Sequence, residues 1–130
     1  MISDRVGDFI VRLTNAGAIG KHEVTVPHSN HLEAIAKKLK EIGFVGEVSV
    51  SKKAPKELTV ALLYDEHGTP KINGVKRISK PGRRLYTPSR EAHAVRSGFG
   101  ARIISSPKGI VSDAEARKSR VGGETLFEIW

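Results

Sequence analysis

Apolar positions recur at helical spacing twice in the first half of the chain, then give way to short alternating or clustered runs. In residues 3–15, Val6, Phe9, Ile10 and Leu13 fall at i, i+3, i+4 and i+7, one face of a helix, with Ser3 placed to cap it and Gly17 and Gly20 to stop it. Residues 23–26 alternate as a strand that Pro27 ends. Leu32, Ile35, Ala36, Leu39 and Ile42 then repeat the helical spacing. Ser29 or Asn30 can cap this second helix, Glu33 completes a capping box from Asn30, and Gly43 provides a left-handed stop. Residues 44–50 and 58–64 read as a hairpin across the polar turn 52–56. Two amphipathic helices need a sheet face on which to bury their stripes, so residues 1–64 make one α/β lobe.

Residues 65–70, with Gly68, Pro70 and no large aliphatic residue, read as a linker. Beyond it short strands dominate, at 72–78, 83–86, 101–105 and 125–130. Thr87 and Pro88 mark a brief helix start that Gly98 ends, and Ser112 with Glu115 forms a capping box opening a second brief helix that Gly122 and Gly123 close. The predicted class is α+β: an N-terminal lobe of two helices and three strands, then a mainly β C-terminal lobe over residues 71–130 with short helices. No internal repeat or low-complexity tract interrupts this order.

Composition narrows the chemistry. The 130 residues contain no cysteine, so disulfides and thiolate metal sites are excluded. Asp4, Arg5, Asp8 and Arg12 break any signal-peptide core, and no apolar run is long enough to span a bilayer, so the expected location is the cytoplasm, with no membrane partner. The formal net charge is +8, and it is unevenly placed. Residues 1–65 carry nine basic and eight acidic side chains, whereas residues 66–130 carry thirteen and six. Between Lys71 and Lys108 ten basic residues meet a single acidic one, Glu91, a density that points to a polyanion and above all to nucleic acid. The plainer alternative is a solvated, solubility-promoting surface.

Two segments carry candidate chemistry. Residues 79–86 set a Pro81-Gly82 turn among Lys80, Arg83 and Arg84 and end on Tyr86. The cations can reach phosphates and the ring can stack on an unpaired base, although the same pattern suits a hairpin whose tyrosine is core. In residues 103–111, apolar positions flank Ser105, Ser106, Pro107, Lys108 and Gly109. Short hydroxyls, a lysine and a glycine on a tight turn can approach a narrow groove and bond phosphates, 2′-hydroxyls and base edges; a plain β-turn would read the same way. The spacing is not that of a P-loop, and no hydrolase elbow, zinc-protease motif or dinucleotide fingerprint occurs, so no enzyme, cofactor or small-molecule substrate is expected. His22, His28, His31, His67 and His93 lack metal-ligand spacing and read as surface residues, and Asp4 and Asp8 suit a helix dipole better than catalysis.

Residues 103–117, with aliphatics, the Ser105–Gly109 loop, further aliphatics and Ala116-Arg117, resemble the signature of bacterial-type small-subunit ribosomal protein S-eight (uS-eight). Similar matches run through Pro27, Ser29, residues 33–40, Gly43-Phe44, residues 79–86 and Gly122-Gly123-Glu124, so the resemblance covers essentially the whole chain. It implies a structural constituent of the small ribosomal subunit whose two lobes grip the central domain of its ribosomal RNA and help assemble the platform. It also implies contacts with neighbouring proteins, the fifth and twelfth of the set, and in some members repression of the protein's own operon through its messenger RNA. Carried over, Ser105, Ser106, Lys108 and Gly109, with Gly123 and Glu124 behind them, form the main RNA-binding surface. Ser79, Lys80, Arg83 and Tyr86 flank it, and Asp4, Arg12, Asn15 and Ser29 offer a secondary contact. The chain departs from the family at Ser106, usually threonine, at Pro107, usually serine, and at Asn30 and Leu32, where lysines are common. The rival reading is a basic RNA-binding or protein-docking module outside the ribosome.

Overall fold

The computed structural model describes residues 5–79, 84–87 and 100–130. The chain forms two compact units, Asp8–Asn73 and Gly74–Trp130 with Met1–Gly7, and the mixed α+β class agrees with the sequence pattern.

The unit Asp8–Asn73 holds α1 (Arg5–Ala18, most of it), β1 (Glu23–Pro27), α2 (Asn30–Ile42), β2 (Val45–Val50) and β3 (Glu57–Leu62). The strands form an antiparallel sheet in the order β1-β3-β2. Directly paired residues share a sheet face, so the register Val24↔Val60↔Val48 and Val26↔Leu58↔Val50 gathers the valines and Leu58 on one side. Thr25 and Thr59 face the other way, their hydroxyls 3.1 Å apart. The helical stripes Phe9, Ile10, Leu13 and Leu32, Ile35, Leu39 are all 2% exposed or less. Each such side chain contributes about 1.5–3 kcal/mol by leaving water.

Helix ends differ from expectation in two places. Gly17 does not stop α1; the helix passes through it to Ala18, and its bare Cα lies against Pro70, where an added Cβ would stand 3.2 Å from the Pro70 Cβ. In α2 the cap is Ser29, whose Oγ accepts from the Leu32 N–H at 3.1 Å, and no Asn30–Glu33 box forms because the Glu33 carboxylate binds Lys37 and His28 instead. Gly43 ends α2 in the left-handed region, its N–H donating to the Leu39 and Lys40 carbonyls. Residues 65–70 form a tight turn in which the Asp65 carboxylate accepts from the His67 and Thr69 N–H groups at 2.8 and 2.9 Å. Ser3 lies outside the described residues.

The other unit contains β4 (Val75–Arg77), β5 (Tyr86–Thr87), β6 (Ala101–Ser106), β7 (Gly109–Ser112), α3 (Asp113–Ser119) and β8 (Gly123–Ile129). All strands pair antiparallel in the order β4-β8-β6-β7, with β5 also on β8 beyond the end of β4. The strand expected at 72–78 is reduced to three residues, and β7 is a strand that the sequence pattern does not predict. Ser112 caps α3 as the pattern required, its Oγ accepting from the Glu115 N–H. The helix ends at Arg120 in the left-handed region rather than at Gly122 and Gly123, because Gly123 already begins β8. Ile104, Val111, Ala116 and Val121 pack together under α3. The helix expected at 88–98 falls outside the described residues.

Candidate nucleic-acid interface

The hairpin β6–β7 turns through Pro107 and Lys108, with Ser106 paired to Gly109 at its last rung. Gly109 has φ +109°, a conformation that a side chain would strain. The Ser106 hydroxyl ties the turn internally, accepting from the Lys108 N–H at 3.2 Å and donating to the Gly109 carbonyl at 2.8 Å. Proline at 107 brings no N–H, so the tip presents chiefly the exposed Lys108 side chain.

β8 runs along the other side of β6, and at Gly123 the two backbones meet so closely that a Cβ would stand 2.1 Å from the Ser105 carbonyl oxygen. Only glycine fits there. A bulge at Leu126 shifts the register, so that Ile103 faces Phe127 while Ile104 faces Thr125. After the bulge a single row crosses four strands, Tyr86↔Glu124↔Ser105↔Ile110. Strand pairing puts these four side chains on one face, opposite the face where Ile104 and Val111 meet α3. At about 4.8 Å per strand the row spans roughly 14 Å.

The row is chemically mixed. Tyr86 is 72% exposed, so its ring is not core. Ser105 and Ile110 are half-buried, and among the described residues the Ser105 hydroxyl has no hydrogen-bond partner. Glu124 accepts a charge-assisted bond from Arg84 Nη1 at 3.0 Å, and half of the Arg84 side chain remains exposed. Glu124 therefore adds an acceptor to the surface without an unbalanced negative charge.

The remaining candidates separate. Ser79 is completely buried; its Oγ accepts from the Leu85 N–H at 2.9 Å and donates to the Leu85 carbonyl at 3.2 Å. It holds the strand carrying Tyr86 rather than presenting a group to solvent. Lys80, Arg83 and Asp4 lie outside the described residues. In the other unit, Arg12 binds Asp8 at 3.0 Å on the surface of α1. With the exposed Asn15 it lines an open groove of about 260 Å³ between α1 and β1. Ser29 is occupied as the cap of α2. Sequence reasoning missed Ile110 as a member of the row, because its membership depends on pairing between strands far apart in the chain.

Among the described residues no group of three or more histidine, aspartate or glutamate side chains is placed to hold a metal ion, and no helix is long and apolar enough to cross a membrane. His28 is not a plain surface residue, since its Nε2 lies 2.8 Å from Glu33 Oε1 and its side chain is 14% exposed.

Comparison with known proteins adds an independent line. The family model described as Ribosomal protein S8 matches residues 4–130. The small ribosomal subunit protein uS8 of Mycoplasmopsis synoviae (strain 53) is 46% identical over 131 residues, covering 99% of this chain and 98% of its own. Its namesake in Persephonella marina is 43% identical over 136 residues, covering all of both chains. That of Chloroflexus aurantiacus is 41% identical over 131 residues, covering 99% of this chain and 98% of its own.

Proposed function

Because this chain belongs to the ribosomal protein S8 family, whose members are structural rather than enzymatic constituents of the small ribosomal subunit, we propose that it binds the central domain of the subunit's ribosomal RNA through the face built on β5, β8, β6 and β7. The observation that carries this reading is the row Tyr86, Glu124, Ser105 and Ile110, with Lys108 in the β6–β7 turn next to it. The ring, the polar groups and the cations have separate tasks. Tyr86 stacks on a base or ribose of an irregular helix, worth about 1–3 kcal/mol for a base. The free Ser105 hydroxyl and the Glu124 carboxylate bond 2′-hydroxyls and base donors, while Lys108 and Arg84 meet phosphates. Gly109, Gly123, Ser106 and Ser79 hold this surface in shape. By binding early and firmly the protein would help assemble the platform, beside the fifth and twelfth proteins of the subunit. An own-operon messenger RNA of the same shape would meet the same face and so be repressed.

The test is a filter-binding titration against the central-domain RNA fragment and a scrambled duplex of equal length, at low and physiological salt. Binding should be tight, salt-sensitive and selective for the fragment, since each phosphate contact on a duplex changes log affinity by about 0.9 per log unit of salt. Lys108→Ala should weaken binding to both RNAs, whereas Ser105→Ala should mainly erode the preference between them. Equal wild-type affinity for both RNAs would reject recognition by this face.

A further inference from the structure

The chain contains three asparagines, and of these Asn73 alone is followed by glycine. Asn15 lies inside α1 and Asn30 opens α2, whereas Asn73 is exposed on the irregular segment just before β4. Among the described residues its carboxamide has no hydrogen-bond partner. An asparagine so placed is chemically unstable, because the amide nitrogen of the next residue can attack its side-chain carbonyl carbon. A glycine in that next position offers no Cβ to obstruct the approach and a backbone that bends easily into it.

The Gly74 amide, however, is engaged. Its N–H donates to the Trp130 carbonyl at 3.0 Å and its carbonyl accepts from the Trp130 N–H at 3.0 Å, which extends the pairing of β4 with β8 one rung beyond Val75↔Ile129. The indole lies over the same residue: a Cβ on Gly74 would stand 2.8 Å from Trp130 Cζ2 and 2.9 Å from Cε2. The attacking nitrogen is thus tied by a hydrogen bond, and its α-carbon is covered by a ring. Yet β4 is an edge strand of three residues, and the ends of such strands open locally at low free-energy cost.

We propose that Asn73–Gly74 is a site of spontaneous deamidation whose rate is set by opening of the Gly74–Trp130 rung. Once the rung opens, the Gly74 N–H loses its proton to solvent base and the nitrogen forms a bond to Asn73 Cγ. The carboxamide nitrogen takes up a proton and leaves as ammonia, and water then opens the cyclic imide. The sum consumes one water and releases one ammonia, with no oxidation or reduction. Hydrolysis at one imide carbonyl gives aspartate; at the other it gives isoaspartate, whose main chain runs through the former side chain. That detour lengthens the backbone at the entry to β4 and carries Gly74 off its register with Trp130, so the rung cannot close as before.

The experiment incubates the full chain at mildly alkaline pH. Tryptic cleavage after Lys71 and Lys76 isolates residues 72–76, in which conversion of amide to acid is read by mass and isoaspartate is resolved from aspartate by chromatography. The folded wild type should convert about tenfold or more slowly than the same chain unfolded in guanidinium chloride, a factor that an opening free energy of about 1.4 kcal/mol suffices to give. Trp130→Ala should raise the conversion rate at Asn73 and the hydrogen-exchange rate of the Gly74 amide by the same factor, with thermal unfolding showing that the variant is folded. Asn73→Gln, whose longer side chain closes a ring poorly, should leave the peptide unconverted. Equal rates in the folded and unfolded wild type, conversion of Asn15 or Asn30 ahead of Asn73 in the folded chain, or failure of either rate to rise in Trp130→Ala overturns the proposal.

Discussion

At Gly123 the β8 backbone passes so near Ser105 that one added carbon would sit 2.1 Å from its carbonyl oxygen, a backbone atom with no side-chain freedom to yield. Gly123→Ala should therefore force the strands apart and cost about 1–3 kcal/mol or more, read as a lowered unfolding midpoint, with RNA binding falling as the row loses its alignment. A variant as stable as the wild type would show that β6 and β8 can separate without harm. The resemblance to the family includes Gly123 in the RNA-binding surface, but its physical task is hidden in the sequence, because the partner backbone lies eighteen positions away. The hydroxyls show the same limit. Ser79, Ser105 and Ser106 are alike as letters, yet one is buried against Leu85, one is free, and one closes its own turn. Which hydroxyl is left for a ligand is decided by strand pairing, not by residue type.

In α2 the stripe Leu32, Ile35, Ala36 and Leu39 is legible in the sequence because a helix repeats its burial over about two turns. The polar ends are less so. Glu33 sits in the first turn, where it binds Lys37 and His28, and these two hold its carboxyl below the ordinary value of 4.5, the Lys37 hydrogen bond being the larger cause. A depressed carboxyl stabilises the fold fully above its unfolded-state value and loses that contribution as pH falls through the folded one. Glu33→Gln should accordingly be less stable than the wild type near neutral pH, and the gap in denaturant midpoint should close as the pH drops below about 4.5. A gap that persists into strong acid would mean that packing rather than charge is responsible. Removing the cap tests the same helix by another route: Ser29→Ala should cost about 1 kcal/mol in chemical denaturation. Strand β7 is hard to read because four residues, the first of them a glycine, are too short for a period to show. β4 reads too long for the opposite reason, since a run of apolar and basic residues suggests a strand although only Val75–Arg77 keep regular strand geometry, with Gly74 and Ile78 bonded to the β8 side outside it.

Across the whole molecule, the fold class follows from two helical stripes succeeded by short strands, and the nucleic-acid reading from the skew of charge toward the second half. What neither pattern reveals is how charge is used. A near-neutral first half looks inert in a count, but the three lysines of α2 are each matched by a nearby glutamate. The self-tied turn at Ser106 bears on the thermodynamics of recognition. A tip whose backbone is fastened before any ligand arrives has little chain freedom left to surrender, so its association carries a small ordering penalty. Calorimetry of the complex should then give a heat-capacity change set by the surface covered, without the excess that accompanies a segment folding as it binds.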